Sequence, residues 1–198
     1  MNADVDYARV VEILTKQQLA PYVAYTAHDR VSGMANDHES GRIVVRTSDG
    51  KIVSGKQQFD VDVGNSSFKG FNSNPVSKPV FDPHCYRASS EAPATLDGSP
   101  ALKLALVPTC GPYHEYPFAT LYADPQTLRP LEVSGTAHGD DDSKSVTVAL
   151  DQHFAAFDGR WMPSSLTIDV TGTGFMFWLQ VHVKEIYSDY RFTPTQPA

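Results

Sequence analysis

GFMFWLQVHVKEIYSDYRF, residues 174–192, decides the fold. Its odd positions 175, 177, 179, 181 and 183 are Phe, Phe, Leu, Val and Val, the period-2 pattern of a strand with one apolar face. Lys184 and Glu185 then interrupt, and the apolar residues move to even positions with Ile186, Tyr190 and Phe192. A one-residue slip of this kind sends side chains to the other face unless a bulge absorbs the extra residue. About eighteen residues at roughly 3.3 Å each also make an unusually long straight strand. A bulged, bent strand in a strongly curved sheet satisfies both observations. Met176 and Trp178 alternate with Phe175 and Phe177, so this end is apolar on both faces, whereas an antiparallel sheet ordinarily shows one face to water.

The neighbouring segments supply the rest of that sheet. YVAYTAHDRVSG (22–33) alternates, and GRIVVRTSDGKIVSG (41–55) reads as a hairpin turning at Ser48-Asp49-Gly50. FDVDV (59–63) has one apolar face. Strand patterns resume at ALKLALVP (101–108) and continue through 116–125, 130–138, 145–157 and 164–172. Turn signals separate them: Asp124-Pro125, Gly139 with three aspartates, Asp158-Gly159 and Gly172-Thr173-Gly174. Between these two sets lies 64–101, rich in Gly, Pro, Ser and Asn, an irregular insertion longer than a compact domain tolerates without a task. It reads equally as an ordered flap or as an excursion.

One helix precedes the strands. In VDYARVVEILTKQQLA the residues Val5, Tyr7, Val10, Val11, Leu14 and Leu19 recur at three- and four-residue spacing, with Asp4 or Asp6 as cap and Pro21 as a stop. The expectation is a single α+β domain over 1–198: an amphipathic N-terminal helix packed against a strongly curved antiparallel sheet, a half-open β-barrel of about eight or nine strands.

Composition narrows the partners. The chain has 198 residues, a net charge of −7 and no Lys/Arg cluster, which argues against nucleic acid and anionic membrane surfaces. No run approaches the roughly 18 apolar residues of a membrane span. The N-terminus lacks the basic start and apolar core of a signal peptide. That leaves a cytoplasmic chain, or an extracytoplasmic one whose signal lies outside this sequence. Cys85 and Cys110 allow one disulfide or two buried thiols. A bridge is the favoured reading, and it places the chain in an oxidising compartment such as the periplasm.

Catalytic and metal signatures are absent. Seven histidines are scattered without H-x-x-x-H, H-E-x-x-H or C-x-x-C spacing, and there is no G-x-S-x-G, so no metal and no cofactor is expected. The alternative is a metal-dependent or cysteine enzyme built on His84-Cys85, His114 and His138, because functional residues concentrate on loops. A third reading is an interaction module that offers a sheet edge to a protein partner.

Two stretches carry a family resemblance. LYADPQTLRPLEVSG (121–135) has a strand, an Asp-Pro turn and a strand beginning at Pro-Leu. FDGRWMPSSLTI (157–168) has a Gly-x-Trp-x-Pro turn leading into a strand. Together with the helix-then-strands order, 101–192 resembles the bacterial outer-membrane lipoprotein carrier and lipoprotein-sorting-like proteins. The N-terminal half lacks those carriers' Gly-x-Leu…Arg-Pro strand. The resemblance implies a half-closed barrel over a helix, with a hydrophobic cavity for acyl chains and no catalytic residues. The expected function is therefore non-enzymatic binding of a lipid, another apolar molecule or a lipoprotein acyl chain between sheet and helix. The candidate lining residues are Phe175, Met176, Phe177, Trp178 and Leu179, with Val11 and Leu14 opposite.

Overall fold

A computed structural model describes residues 2–33, 37–55, 74–77, 79–112, 115–141, 144–174 and 177–197. The helix α1 (Ala3–Thr15) is followed by β1 (Tyr22–Gly33), β2 (Asp37–Arg46) and β3 (Lys51–Ser54). A one-turn 3-10 helix (Pro83–Cys85) leads into β4 (Tyr86–Leu96), β5 (Ser99–Pro108), β6 (Phe118–Ala123), β7 (Pro130–Asp141), β8 (Lys144–Phe157), β9 (Arg160–Gly174) and β10 (Phe177–Thr193). All ten strands form one antiparallel sheet in the order β3-β2-β1-β10-β9-β8-β7-β6-β5-β4. With β3 and β4 at its two ends the sheet is not closed: it is the expected half-open barrel, with one helix on its concave face and two strands more than anticipated at the lower count.

That strand order explains the long connection. The chain enters the middle of the sheet at β1, runs out to the β3 edge, and resumes at β4 on the opposite edge. Nine inter-strand gaps of about 4.8 Å put those edges roughly 43 Å apart along the sheet. The connection between Ser54 and Tyr86 must therefore link opposite edges of the sheet. The expected strand at 59–63 falls outside the described residues. The irregular reading of 64–101 is too long: Tyr86–Leu96 and Ser99–Pro108 pair as a hairpin. Asp97 (φ 49°) and Gly98 (φ 80°) turn it with two positive φ values, the geometry that matches strand twist. Its alternation is weak because β4 is an edge strand of small residues, where Pro93 is tolerated.

The bulge required by 174–192 is present, but not at Lys184-Glu185. Glu185 is buried on the concave face and Ile186 is 44% exposed. The register with β1 shifts between Ala24 and Thr26, where β10 sets Asp189 and Tyr190 against Tyr25 alone. Asp189 takes φ 53°, the left-handed conformation that a short polar residue accepts. The slip turns both Tyr187 and Tyr190 inward: Tyr190 stacks on Tyr25 at 5.5 Å, and Tyr187 meets it edge-on at 6.0 Å. The Gly172-Thr173-Gly174 turn is a correction too, since these residues extend β9 and pair with Leu179, Trp178 and Phe177.

The helix caps itself with Asn2, not Asp4 or Asp6. The Asn2 backbone is extended and its side-chain oxygen accepts the Asp4 N–H, which leaves both aspartates in the first turn beside the positive end of the helix dipole. Tyr7 and Val10 are buried, whereas Val5 stands 61% exposed, off the stripe. Helix ends at Thr15, and Leu19 packs on the core from the extended segment beyond it.

Cys85 and Cys110 are joined, with Cα atoms 4.9 Å apart. The Thr109 N–H donates to the Cys85 carbonyl at 2.8 Å alongside the bridge. Closing a loop of this length stabilises by roughly 3 kcal/mol in the chain-entropy picture. Replacing both cysteines with alanine is expected to lower the unfolding free energy by that order, read as a lower urea midpoint, and an unchanged midpoint would contradict the assignment.

One row of the concave face is polar. Asp29 on β1 pairs with Glu185 on β10 and Glu39 on β2, and Asp29 is 3% exposed with one carboxylate oxygen unpartnered. Burial first, and then Glu39, pushes the Asp29 carboxyl up to about 6, with His28 and His38 opposing. Between its ordinary value and 6 the folded chain keeps a proton that the unfolded chain has released, so stability falls as pH rises through that window. Asp29→Asn is expected to flatten this part of the stability–pH curve and to stabilise the protein at pH 7.5. Parallel curves for variant and parent would exclude the assignment.

Candidate functional site

A cavity of about 440 Å³ lies between the end of α1, the segment 74–84 and the start of β9. Phe154, Met162, Pro163, Phe81, Pro75 and Pro83 line it and are buried. Leu14, Leu19 and Val76 form half-buried walls, while Thr15, Ser77, Asp82 and His84 line it from exposed positions. An apolar interior with a polar mouth, at this volume, is the form that small-molecule pockets take.

Each wall is fixed by its own sequence. On β9 the register with β8 shifts between His153 and Phe154, where Ser164 is the extra residue. This bulge brings both Met162 and Pro163 to buried positions beside Phe154. Past the helix, Gln17 replaces helical hydrogen bonding with a clamp: its Nε2 donates to the Trp161 carbonyl at 2.6 Å, and its Oε1 accepts the Trp161 N–H. The Trp161 indole N–H donates to the Pro130 carbonyl, and the Arg129 guanidinium lies 5.4 Å from the ring centroid.

Residues 74–77 and 79–84 form a strap over the cavity. Buried Asn74 accepts the Val76 and Ser77 N–H groups at 3.0 and 3.2 Å, a local turn made by a side chain. The Ser77 hydroxyl donates to the Gly50 carbonyl at 3.0 Å. Phe81, 2% exposed, drives into an aromatic cluster with Tyr86 and Phe118, each 5.3 Å away. The Tyr7 hydroxyl donates to the Pro83 carbonyl at 2.8 Å, and burial raises this phenol, which keeps it a donor. Cys85 then bolts the strap's end to Cys110.

Of the residues proposed from sequence, Leu14 lines the cavity, and Val11 packs half-buried on the core without reaching it. Phe175 and Met176 lie outside the described residues, as do the side chains of Phe177 and Leu179. Trp178 is a correction: it is 61% exposed, because its even position faces away from the inward Val181 and Val183. It pairs with Thr173, ten residues along β9 from Pro163, at the other end of that strand from the cavity floor. The lining residues missed from sequence are the strap's prolines with Val76 and Phe81, and the Trp161-Met162-Pro163 run. Their signal was apolar residues at irregular spacing inside a Pro-rich stretch, which no periodicity test detects.

The enzyme alternative loses its nucleophile, since Cys85 is a disulfide half. His84 sits at the cavity mouth, His138 is exposed on β7 and hydrogen-bonds Thr147, and His114 is outside the described residues. Among the described residues a different trio converges on the outer face: ligand atoms of Glu132, Asp151 and His153 lie within 4.8 Å of one another. Burial raises both carboxyls, and His153 lies 3.4 Å from Asp151 and 3.9 Å from Glu132.

Fold and cavity together define an open antiparallel half-barrel over a helix. The chain is similar over 100% of its length to a LolA superfamily protein from Nitrosomonas europaea, at 11% identity, 96% coverage of that chain and a TM-score of 0.50. A DUF1329 family protein from Desulfovibrio piger is similar over 96% of this chain and 92% of its own, at 12% identity and a TM-score of 0.46. No sequence-family profile and no curated protein matches the chain. The LolA-like fold inferred from residues 101–192 is therefore the fold of this protein. No helix among the described residues is long and apolar enough to cross a membrane.

Gln17→Ala removes the clamp between helix end and β9 and leaves Trp161 backbone groups partnerless. The expected cost is roughly 1–3 kcal/mol, read as a lower urea midpoint, and a midpoint within error of the parent would show the clamp to be idle.

Proposed function

We propose that this protein is a non-enzymatic, extracytoplasmic binding protein that holds an apolar ligand, a lipid or acyl chain, in the cavity beneath the strap. The observation that carries this reading is the pairing of a buried apolar floor (Phe154, Met162, Phe81) with a polar mouth at Asp82 and His84. Burying an alkyl chain against such a floor yields about 0.8 kcal/mol per methylene. A chain of eight to ten carbons therefore contributes roughly 6–8 kcal/mol of gross driving force, from which the losses of association are subtracted. The disulfide supports the compartment, because such bridges persist where the surroundings are oxidising. The LolA-like fold supports the carrier class by analogy of architecture.

Titration with the neutral fluorophore N-phenyl-1-naphthylamine tests the reading directly. The parent protein is expected to bind it at micromolar concentration, and Leu14→Trp, which fills the cavity from the helix side, to weaken it about tenfold or more, as loss of one good contact would. No fluorescence change with the parent protein would overturn the function.

A further inference from the structure

Next to the cavity is a recess of about 10 Å³, bordered by three prolines that also line the larger space, Pro75, Pro79 and Pro163. Its other side is formed by Gln152 and Tyr187 among apolar residues. Gln152 is on the concave face of β8, two residues before Phe154, and it pairs with Leu166 on β9 and Val133 on β7. Both neighbours are essentially fully buried hydrocarbon. Gln152 itself is 2% exposed, and its Nε2 has no hydrogen-bond partner. A carboxamide carries two N–H donors, and burying them unpaired is a standing destabilisation. Valine or leucine at this position would continue the apolar floor without that loss.

We propose that Gln152 is the polar anchor of the ligand site and that it donates a hydrogen bond to a neutral carbonyl oxygen on an otherwise apolar ligand. The proposal rests on the apolar-cavity reading above and specifies its cargo. The recess has the volume of one small polar atom, not of a head group, so the carbonyl enters first and the chain occupies the larger cavity. A carboxylate suits it poorly. Tyr187, which lines the recess, already donates its hydroxyl to Glu185, and Asp29 follows on the next strand of the same row. Those acidic groups repel an anion and tolerate a neutral acceptor. The favoured class is thus a ketone, aldehyde or small ester at the end of an alkyl chain. A bulky zwitterionic lipid has no room for its head there.

The test is displacement of N-phenyl-1-naphthylamine by three chains of equal length: 2-dodecanone, dodecanoate at pH 8 and dodecane. The parent is expected to prefer the ketone over dodecane by about tenfold, the value of one desolvated hydrogen bond, and to bind dodecanoate more weakly than the ketone. Gln152→Met, unbranched and of similar length, is expected to abolish the ketone preference while binding the fluorophore as the parent does. Its ligand-free melting temperature is expected to match or exceed the parent's, since an unpaired donor has been removed. Should Met be poorly folded, Gln152→Leu is read in the same way. A ketone preference that survives both substitutions, or none in the parent, overturns the anchor and leaves the apolar cavity standing. A lower melting temperature with ligand preference intact assigns Gln152 a structural water and overturns it as well. Failure of the fluorophore to bind the parent removes cavity and anchor together.

Discussion

An antiparallel sheet of ten strands that curls without closing has two edges, and in this chain consecutive strands β3 and β4 occupy opposite ones. A single connection must then link those edges, and its described end packs against the helix end and the start of β9. The described end of that connection, residues 74–77 and 79–84, contributes Asn74, Pro75, Phe81 and Pro83 to the buried interior. Phe81 anchors it in the Tyr86–Phe118 cluster, Pro83 receives the Tyr7 hydroxyl from the helix, and the disulfide holds its end to the start of the regular meander. The cavity is what remains where helix, strap and sheet meet without filling the space between them.

Two bulges set how the sheet meets these elements. On β10, Asp189 absorbs one residue in a left-handed conformation and gathers Tyr187 and Tyr190 around Tyr25. On β9, Ser164 is the extra residue beside Phe154, and the bulge gives the cavity two adjacent floor residues, Met162 and Pro163. The Tyr190 hydroxyl donates to the Pro163 carbonyl at 2.9 Å and so ties one bulge to the other. A bulge adds local twist, and this pair lies where β8, β9 and β10 bend around the cavity. Floor shape and sheet curvature thus share a cause.

The concave face is not uniformly apolar: among the described residues one row carries Asp29, Glu185 and Gln152, with Leu166 between the last two, and Glu91 on β4 meets Asp6 of the helix. Buried polar groups without full partners destabilise a fold, and a sheet selected for stability alone would carry valine or leucine there. The row runs toward the recess beside the cavity, which Gln152 lines. On the opposite face lie the pair His182–Asp169 and the half-buried pair His153–Asp151, none of which lines the cavity.

The sequence by itself determined the class of fold: the parity of 174–192 demanded a bulge and a curved sheet, Asp158-Gly159 and Asp124-Pro125 marked real turns, and the helical stripe of Tyr7 and Val10 is buried as its spacing requires. Those signals are local, because period and turn chemistry are properties of a few adjacent residues. The bulge position was not legible, since Glu185 reads as a surface charge until β1 and β9 enclose it. Nor was β4, whose small residues and Pro93 suit an edge that only the whole sheet defines. The apolar run at Phe175–Leu179 suggested a binding site by its density, yet Trp178 points to solvent at the far end of β9 from the cavity. The cavity itself is assembled from residues 14 to 163 by long-range pairing. No window of sequence contains it, because its walls become neighbours only when the described strap residues, the end of α1 and the start of β9 pack together.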